Sequence, residues 1–167
     1  MLSRCARSSI WTKARRGASF STVVAARERE NVGESDPDAG MWRGRSVARR
    51  VLSPDGWVIL VGRTAEDNDV LSLKLASPRD FWLHVSGESG SHVVIRNPDG
   101  AARPPRDTVR FAAGLAAGYS RARHGGQVAV HLATCADVSK PRGLPPGKVV
   151  LRRFTTVRAA PLRADDA

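Results

Sequence analysis

The stretch over residues 80–96, DFWLHVSGESGSHVVIR, constrains this chain more than any other. Phe81, Leu83 and Val85 alternate with Trp82, His84 and Ser86. Gly87, Gly90 and the neighbouring serines break the run, and residues 92–95 resume it. A period-2 run, a Gly-rich break and a second β-branched run predict two strands joined by a tight turn. Its polar cargo is unusual. Trp82, His84, His92 and Arg96 lie on or beside the strands of a chain with 4 Trp and 4 His.

The rest of the chain reads in order around this hairpin. Residues 46–52 and 57–61 flank Pro54-Asp55-Gly56, whose Pro fixes one dihedral while Gly accepts positive φ, and predict another hairpin. Thr64 can cap a helix, with Glu66, Asp67 and Asp69 at its positive end. Leu71, Leu73 and Leu75 alternate like a strand, and the cap favours a helix running to Ser77-Pro78. Residues 97–106 form a polar loop. Asp107 or Thr108 then caps a helix predicted to run to about Arg123 and to stop at Gly125. Its alanines and Gly114 and Gly118 imply close packing on a sheet. Strands are expected over 127–133, 148–153 and 155–160, with a basic turn at 138–143. The sum is an α+β single compact domain: a mostly antiparallel sheet with two main helices packed on one side of it.

Charge bears on partners. At 167 residues the formal net charge is +11, from 27 Lys and Arg against 16 Asp and Glu. Such a chain meets an anion: nucleic acid, a membrane surface or an acidic protein. Part of the excess sits in residues 1–27, which have no carboxylate and carry Arg4, Arg7, Lys13, Arg15, Arg16 and Arg27 with five Ser. This composition is that of an organellar transit peptide, mitochondrial by the run at 15–22, with a plastid signal or a basic nucleic-acid-binding arm as alternatives. Residues 28–44 read as a linker, the body as 45–160, and 161–167 as a tail. Cys5 and Cys135 lack disulfide or zinc spacing, and no apolar run approaches the ~20 residues of a membrane span.

Catalytic readings fail on their missing parts. Gly87-Glu88-Ser89-Gly90 resembles part of a nucleophile elbow, but Ser91 stands where glycine is needed. No phosphate loop or dinucleotide fingerprint is present. His84 and His92 have no third ligand at metal spacing, so no metal or cofactor is implied, and the chain is not read as an enzyme. The polar set fits a surface for phosphates and bases. Arg63, Lys74, Arg96, Arg121, Arg123, Lys140, Arg142 and Lys148 are spread over loop edges and helix ends, with Trp82, His84, His92 and Tyr119 between them. Structural readings stand beside these: Trp82 in the core, His92 holding the turn, Tyr119 packed on the sheet, Lys148 and Arg152 on a solvated strand.

Several of these words together resemble a known family. They are Val61-Gly62-Arg63, Asn68-Asp69, Asp80-Phe81-Trp82-Leu83-His84, the run from Gly90 to Arg96, Ala112-Ala113, residues 116–123, residues 138–143 and Pro146-Gly147-Lys148-Val149. In this order they resemble the NFACT-R domain, the RNA-binding domain of proteins acting in ribosome-associated quality control, over about residues 47–160. The resemblance implies RNA as partner, in particular tRNA or large-subunit rRNA with neighbouring ribosomal proteins, and adds Asn68 to the contact set. It also implies a helix over 64–76. The expected form is the stand-alone domain, so extension of a stalled chain is not implied. Thr64 and Asp67 depart from the family's Asn and Gln, and the charge of Asp67 disfavours a phosphate there. The alternative function is a basic adaptor for acidic proteins or membranes.

Overall fold

A computed structural model describes residues 35–166; the expected transit peptide at 1–27 lies outside the described residues. The described chain opens with a small hairpin, β1 (Met41–Trp42) and β2 (Arg45–Ser46). Then come β3 (Ala48–Leu52) and β4 (Val58–Gly62), joined through the Pro-Asp-Gly turn with Gly56 at φ 80°. Helix α1 (Ala65–Val70) follows and continues as one π-helical turn, Leu71–Leu75. The predicted hairpin is β5 (Phe81–Val85) with β6 (Val93–Ile95). After α2 (Arg106–Gly118) come β7 (Val128–Thr134), the short pair β8 (Val138–Ser139) and β9 (Val150–Leu151), and β10 (Thr155–Ala159).

Six strands form one sheet in the order β10-β7-β5-β6-β4-β3, every neighbouring pair antiparallel. The period-2 alternation of β5 sorts its side chains as expected. Phe81, Leu83 and Val85 pack with Ala112, Ala113, Leu115, Ala116 and Ala117 of α2. Trp82 points to the other face and packs with Leu60, Val94, Leu71 and Leu75. The two helical segments therefore cover opposite faces of the sheet, where the sequence suggested one side. The near-continuous apolar runs of β4 and β6 follow from this, because strands covered on both faces have no solvent side to alternate toward.

Several boundaries differ from the sequence expectation, each for a visible reason. The turn between β5 and β6 is a seven-residue loop over 86–92, not a tight one. Its backbone pairs with residues after α2: Ser91 N donates to Tyr119 O at 3.0 Å and Arg121 N to Ser89 O at 3.0 Å. Those bonds compete with further helical turns, so α2 stops at Gly118 and Arg121, Arg123 and His124 lie beyond it. At its start the helix follows Pro105 without a side-chain cap. Thr108 is instead buried, donates to Asp55 Oδ2 at 2.8 Å and lies 3.0 Å from Ser53 Oγ, tying α2 to the β3–β4 turn. The strand expected over 148–153 is reduced to β9, because Arg152 N donates to Asp137 O and both Arg152 and Arg153 turn to the Asp137 carboxylate.

Both ends of the body extend further than the sequence suggested. Residues 35–44 join it through β1 and through Asp38, which pairs with Arg96 at 3.0 Å. At the other end, Leu162 N donates to Gly114 O at 2.8 Å, so residues beyond 160 pack along α2. A Cβ at Gly118 would lie 2.0 Å from the Leu162 carbonyl oxygen. Gly118→Ala should therefore destabilise the domain by about 1–3 kcal/mol, the usual range for overpacking against backbone. Limited proteolysis should then cut first within 160–166.

Candidate nucleic-acid interface

The π-helical turn sets the interior of the site. It places Ser72 beneath β5 and β6, where Trp82 Nε1 donates to Ser72 Oγ at 3.0 Å and that oxygen lies 2.8 Å from His92 Nδ1. His92 Nδ1 also lies 3.2 Å from the Asn68 carbonyl, and Nε2 lies 3.1 Å from the Gly147 carbonyl, so both ring nitrogens have partners inside the fold. Asn68 completes the frame: its Oδ1 accepts from His92 N at 2.9 Å and its Nδ2 donates to Gly90 O at 3.2 Å. Trp82, Asn68 and His92 are all buried, His92 to 1% exposure. The structure thus places these three below the surface, holding the 86–92 loop and the Gly147 turn.

Burial holds His92 neutral, with its pKa lowered to about 4. His84, half-buried and stacked on Trp82, is also lowered by burial. The unfolded chain takes up a proton near pH 6.5, whereas the fold resists until about pH 4. Stability is therefore complete above pH 6.5 and falls as pH drops toward 4. Between pH 7 and 5, where most carboxylates stay ionised, His92 should cost about 2 kcal/mol. Urea unfolding at the two pH values checks this, and His92→Gln should flatten the dependence.

Arg96 is also occupied. Its Nε donates to Asp38 and its Nη1 to Asp80 Oδ2. Asp80 is fully buried and also accepts from Ser77 N and Asn97 N, both at 2.8 Å. Lys140 is similarly engaged, donating to Asp69 Oδ2 and Pro145 O, each at 2.7 Å. Asp69 Oδ1 also accepts from Gly147 N at 3.2 Å. Asp67, the departure from the family pattern, is buried and pairs with Arg45. Arg96 and Lys140 thus pin loops, and neither presents an open charge. Lys74 and Arg142 are exposed, and neither lines the groove or the cleft described next.

The remaining candidates converge on the 86–92 loop. On one side, Arg63, Tyr119, Arg121 and Arg123 line a groove of about 370 Å³ with Ser89, Gly90 and Ser91. The backbone bonds of residues 89–91 with 119–121 bring the Arg121 end against the Arg63 end of β4. On the other side, His84 and Lys148 line a cleft of about 640 Å³ whose floor includes Trp82 and His92. Ser89 and Gly90 border both depressions. Among the described residues no cluster of His, Cys, Asp or Glu has the arrangement of a metal site.

Sequence reasoning missed four members of this surface. Arg163 lines the groove, and its guanidinium lies 5.6 Å from the centre of the Tyr119 ring. Arg49 covers the same ring at 5.1 Å and donates to the Tyr119 hydroxyl at 2.7 Å. His131 is paired with His84 across β5 and β7 and touches Phe154, with ring centres 4.3 Å apart. The β5–β7 alternation could have revealed His131. Arg163 could not be found this way, because nothing local in the sequence says that the tail returns to Tyr119.

Residues 47–153 match the family of NFACT protein RNA binding domains. The chain is 40% identical over 120 residues to the Rqc2 homolog RqcH of Streptococcus suis, covering 70% of this chain and 21% of that protein. It is 31% identical over 69 residues to the ribosome quality control complex subunit NEMF homolog of Drosophila melanogaster, covering 41% of this chain and 7% of that protein. Among solved structures it resembles the C-terminal part of the fibronectin/fibrinogen-binding protein of Streptococcus suis, with a TM-score of 0.67 and 31% identity, over 90% of this chain and 60% of that one. The chain thus spans about a fifth of the bacterial relative. With the match over most of the body and the shared fold, the chain belongs to the NFACT RNA-binding domain family.

Proposed function

We propose that the domain binds RNA through the surface on either side of the 86–92 loop, on tRNA or large-subunit rRNA, in quality control of stalled translation. The observation that carries this reading is the groove in which Arg63, Arg121, Arg123 and Arg163 surround Tyr119. Guanidinium groups match phosphate oxygens in geometry and charge, and they position an RNA backbone without reading its sequence. The quality-control setting draws on the name of the NEMF relative. The mitochondrial setting draws on the acid-free, Arg- and Ser-rich residues 1–27. In this reading the domain works by charge and hydrogen bonding to the RNA backbone.

Ultraviolet crosslinking of the protein to RNA, with peptide mapping, tests the surface. Crosslinks should fall on residues 87–91, 119–123 and around 163. Crosslinks confined to residues 97–110 would overturn the reading. Sequencing the RNA crosslinked in isolated mitochondria should recover tRNA or large-subunit rRNA, and recovery of messenger RNA alone would contradict that assignment.

A further inference from the structure

The cleft beside the groove is lined by rings. Trp82 and His92 form its floor, with their polar atoms already bonded inside the protein. His84 and His131, directly opposite each other across β5 and β7, form a wall. Phe154 stands at the lip, 50% exposed, with its ring against His131. The exposed half of the phenyl ring offers a flat apolar face beside the His131 ring, on which another flat ring can stack. Lys148 is exposed at the same lip, and Glu88, on the exposed loop, is the one carboxylate bordering the cleft.

From this arrangement we infer that the cleft takes one unstacked nucleobase of the bound RNA, stacked on the Phe154–His131 pair. The inference rests on the RNA-binding reading above and adds the part of the RNA that enters. A volume of about 640 Å³ is ample for a base with its sugar. The lining favours a neutral flat ring over a phosphate, since burial keeps His92 uncharged and lowers His84. The phosphates on either side of that base have cations within the same surface. Lys148 stands at the lip, and Arg63 and Arg121 stand across Ser89 and Gly90, which border both depressions. Stacking of this kind is tolerant of sequence, because every base has a π-face. RNA with an unpaired segment is therefore bound more tightly than a closed duplex.

Two RNAs test this: a blunt hairpin with a tight loop, and the same hairpin with a short single-stranded 3′ extension. The full chain should bind the extended RNA more tightly by on the order of tenfold, the worth of one stacked base. Phe154→Ala should remove that gain, with a clearly smaller loss of affinity for the blunt hairpin. Phe154→Trp should retain it. Thermal unfolding of each variant confirms that the fold is intact, as expected for a half-exposed side chain. Equal affinity of the unmodified chain for both RNAs would overturn the base site while leaving RNA binding standing. So would an equal loss on both RNAs in Phe154→Ala. Failure to bind either RNA would overturn both readings.

Discussion

Asp80→Ala is expected to cost the fold about 3–5 kcal/mol, the usual penalty for removing one partner of a buried ion pair. The carboxylate is fully buried and accepts from Arg96, Ser77 N and Asn97 N. Its removal leaves the Arg96 side chain, 11% exposed, facing only Asp38, whose own side chain is 60% exposed. Two backbone N–H groups lose their acceptor as well. The three donors come from the end of the α1 segment, the end of β6 and the loop after it, so the loss is felt on both sides of β5. Against a total stability of ~5–15 kcal/mol this is a large share. Urea unfolding measures it. Adding Arg96→Met to Asp80→Ala should recover part of the loss, because the unpaired charge is gone. A loss below about 1 kcal/mol would show that Arg96 is held elsewhere and would reopen it as an RNA contact.

The second large effect is on affinity. Arg63→Ala, Arg121→Ala and Arg123→Ala together should weaken RNA binding by on the order of a hundredfold or more at ~0.1 M salt. Each charged hydrogen bond contributes roughly 1–1.5 kcal/mol after partial screening, and 1.4 kcal/mol is about tenfold. All three side chains are exposed, so folding should be unaffected. Lys74→Ala and Arg142→Ala should change affinity by no more than about twofold each, since neither lines the groove. Filter binding with a hairpin RNA distinguishes the two sets.

The sequence made the scaffold legible where local chemistry decides. The alternation of Phe81 to Val85, the Pro-Asp-Gly turn and the Thr64 cap, whose Oγ1 accepts from Asp67 N at 3.1 Å, all act within a few residues. The site was less legible because its members are sorted by tertiary contacts. Trp82, His92 and Arg96 have the same residue types as a contact surface, yet their polar atoms are bonded to Ser72, Gly147, Asp38 and Asp80 inside the fold. Arg63, Arg121 and Arg123 gain their meaning only when the 86–92 loop pairs with residues 119–121 and stops α2 early. That pairing joins segments about thirty residues apart. No periodicity announces it, and the same holds for the return of Arg163 to Tyr119. The resemblance to the family supplied the partner from short words. The structure then separated the words that build the surface from those that are the surface.

The salt dependence of RNA affinity, measured for the unmodified chain and for the triple variant at Arg63, Arg121 and Arg123, tests the central claim most directly. Each phosphate neutralised contributes about 0.7–0.9 to the slope of log affinity against log salt. The unmodified chain should lose affinity steeply as salt rises, and the variant's slope should be shallower by about 2 or more. A slope that the three substitutions leave unchanged would place the RNA on another face and contradict this account.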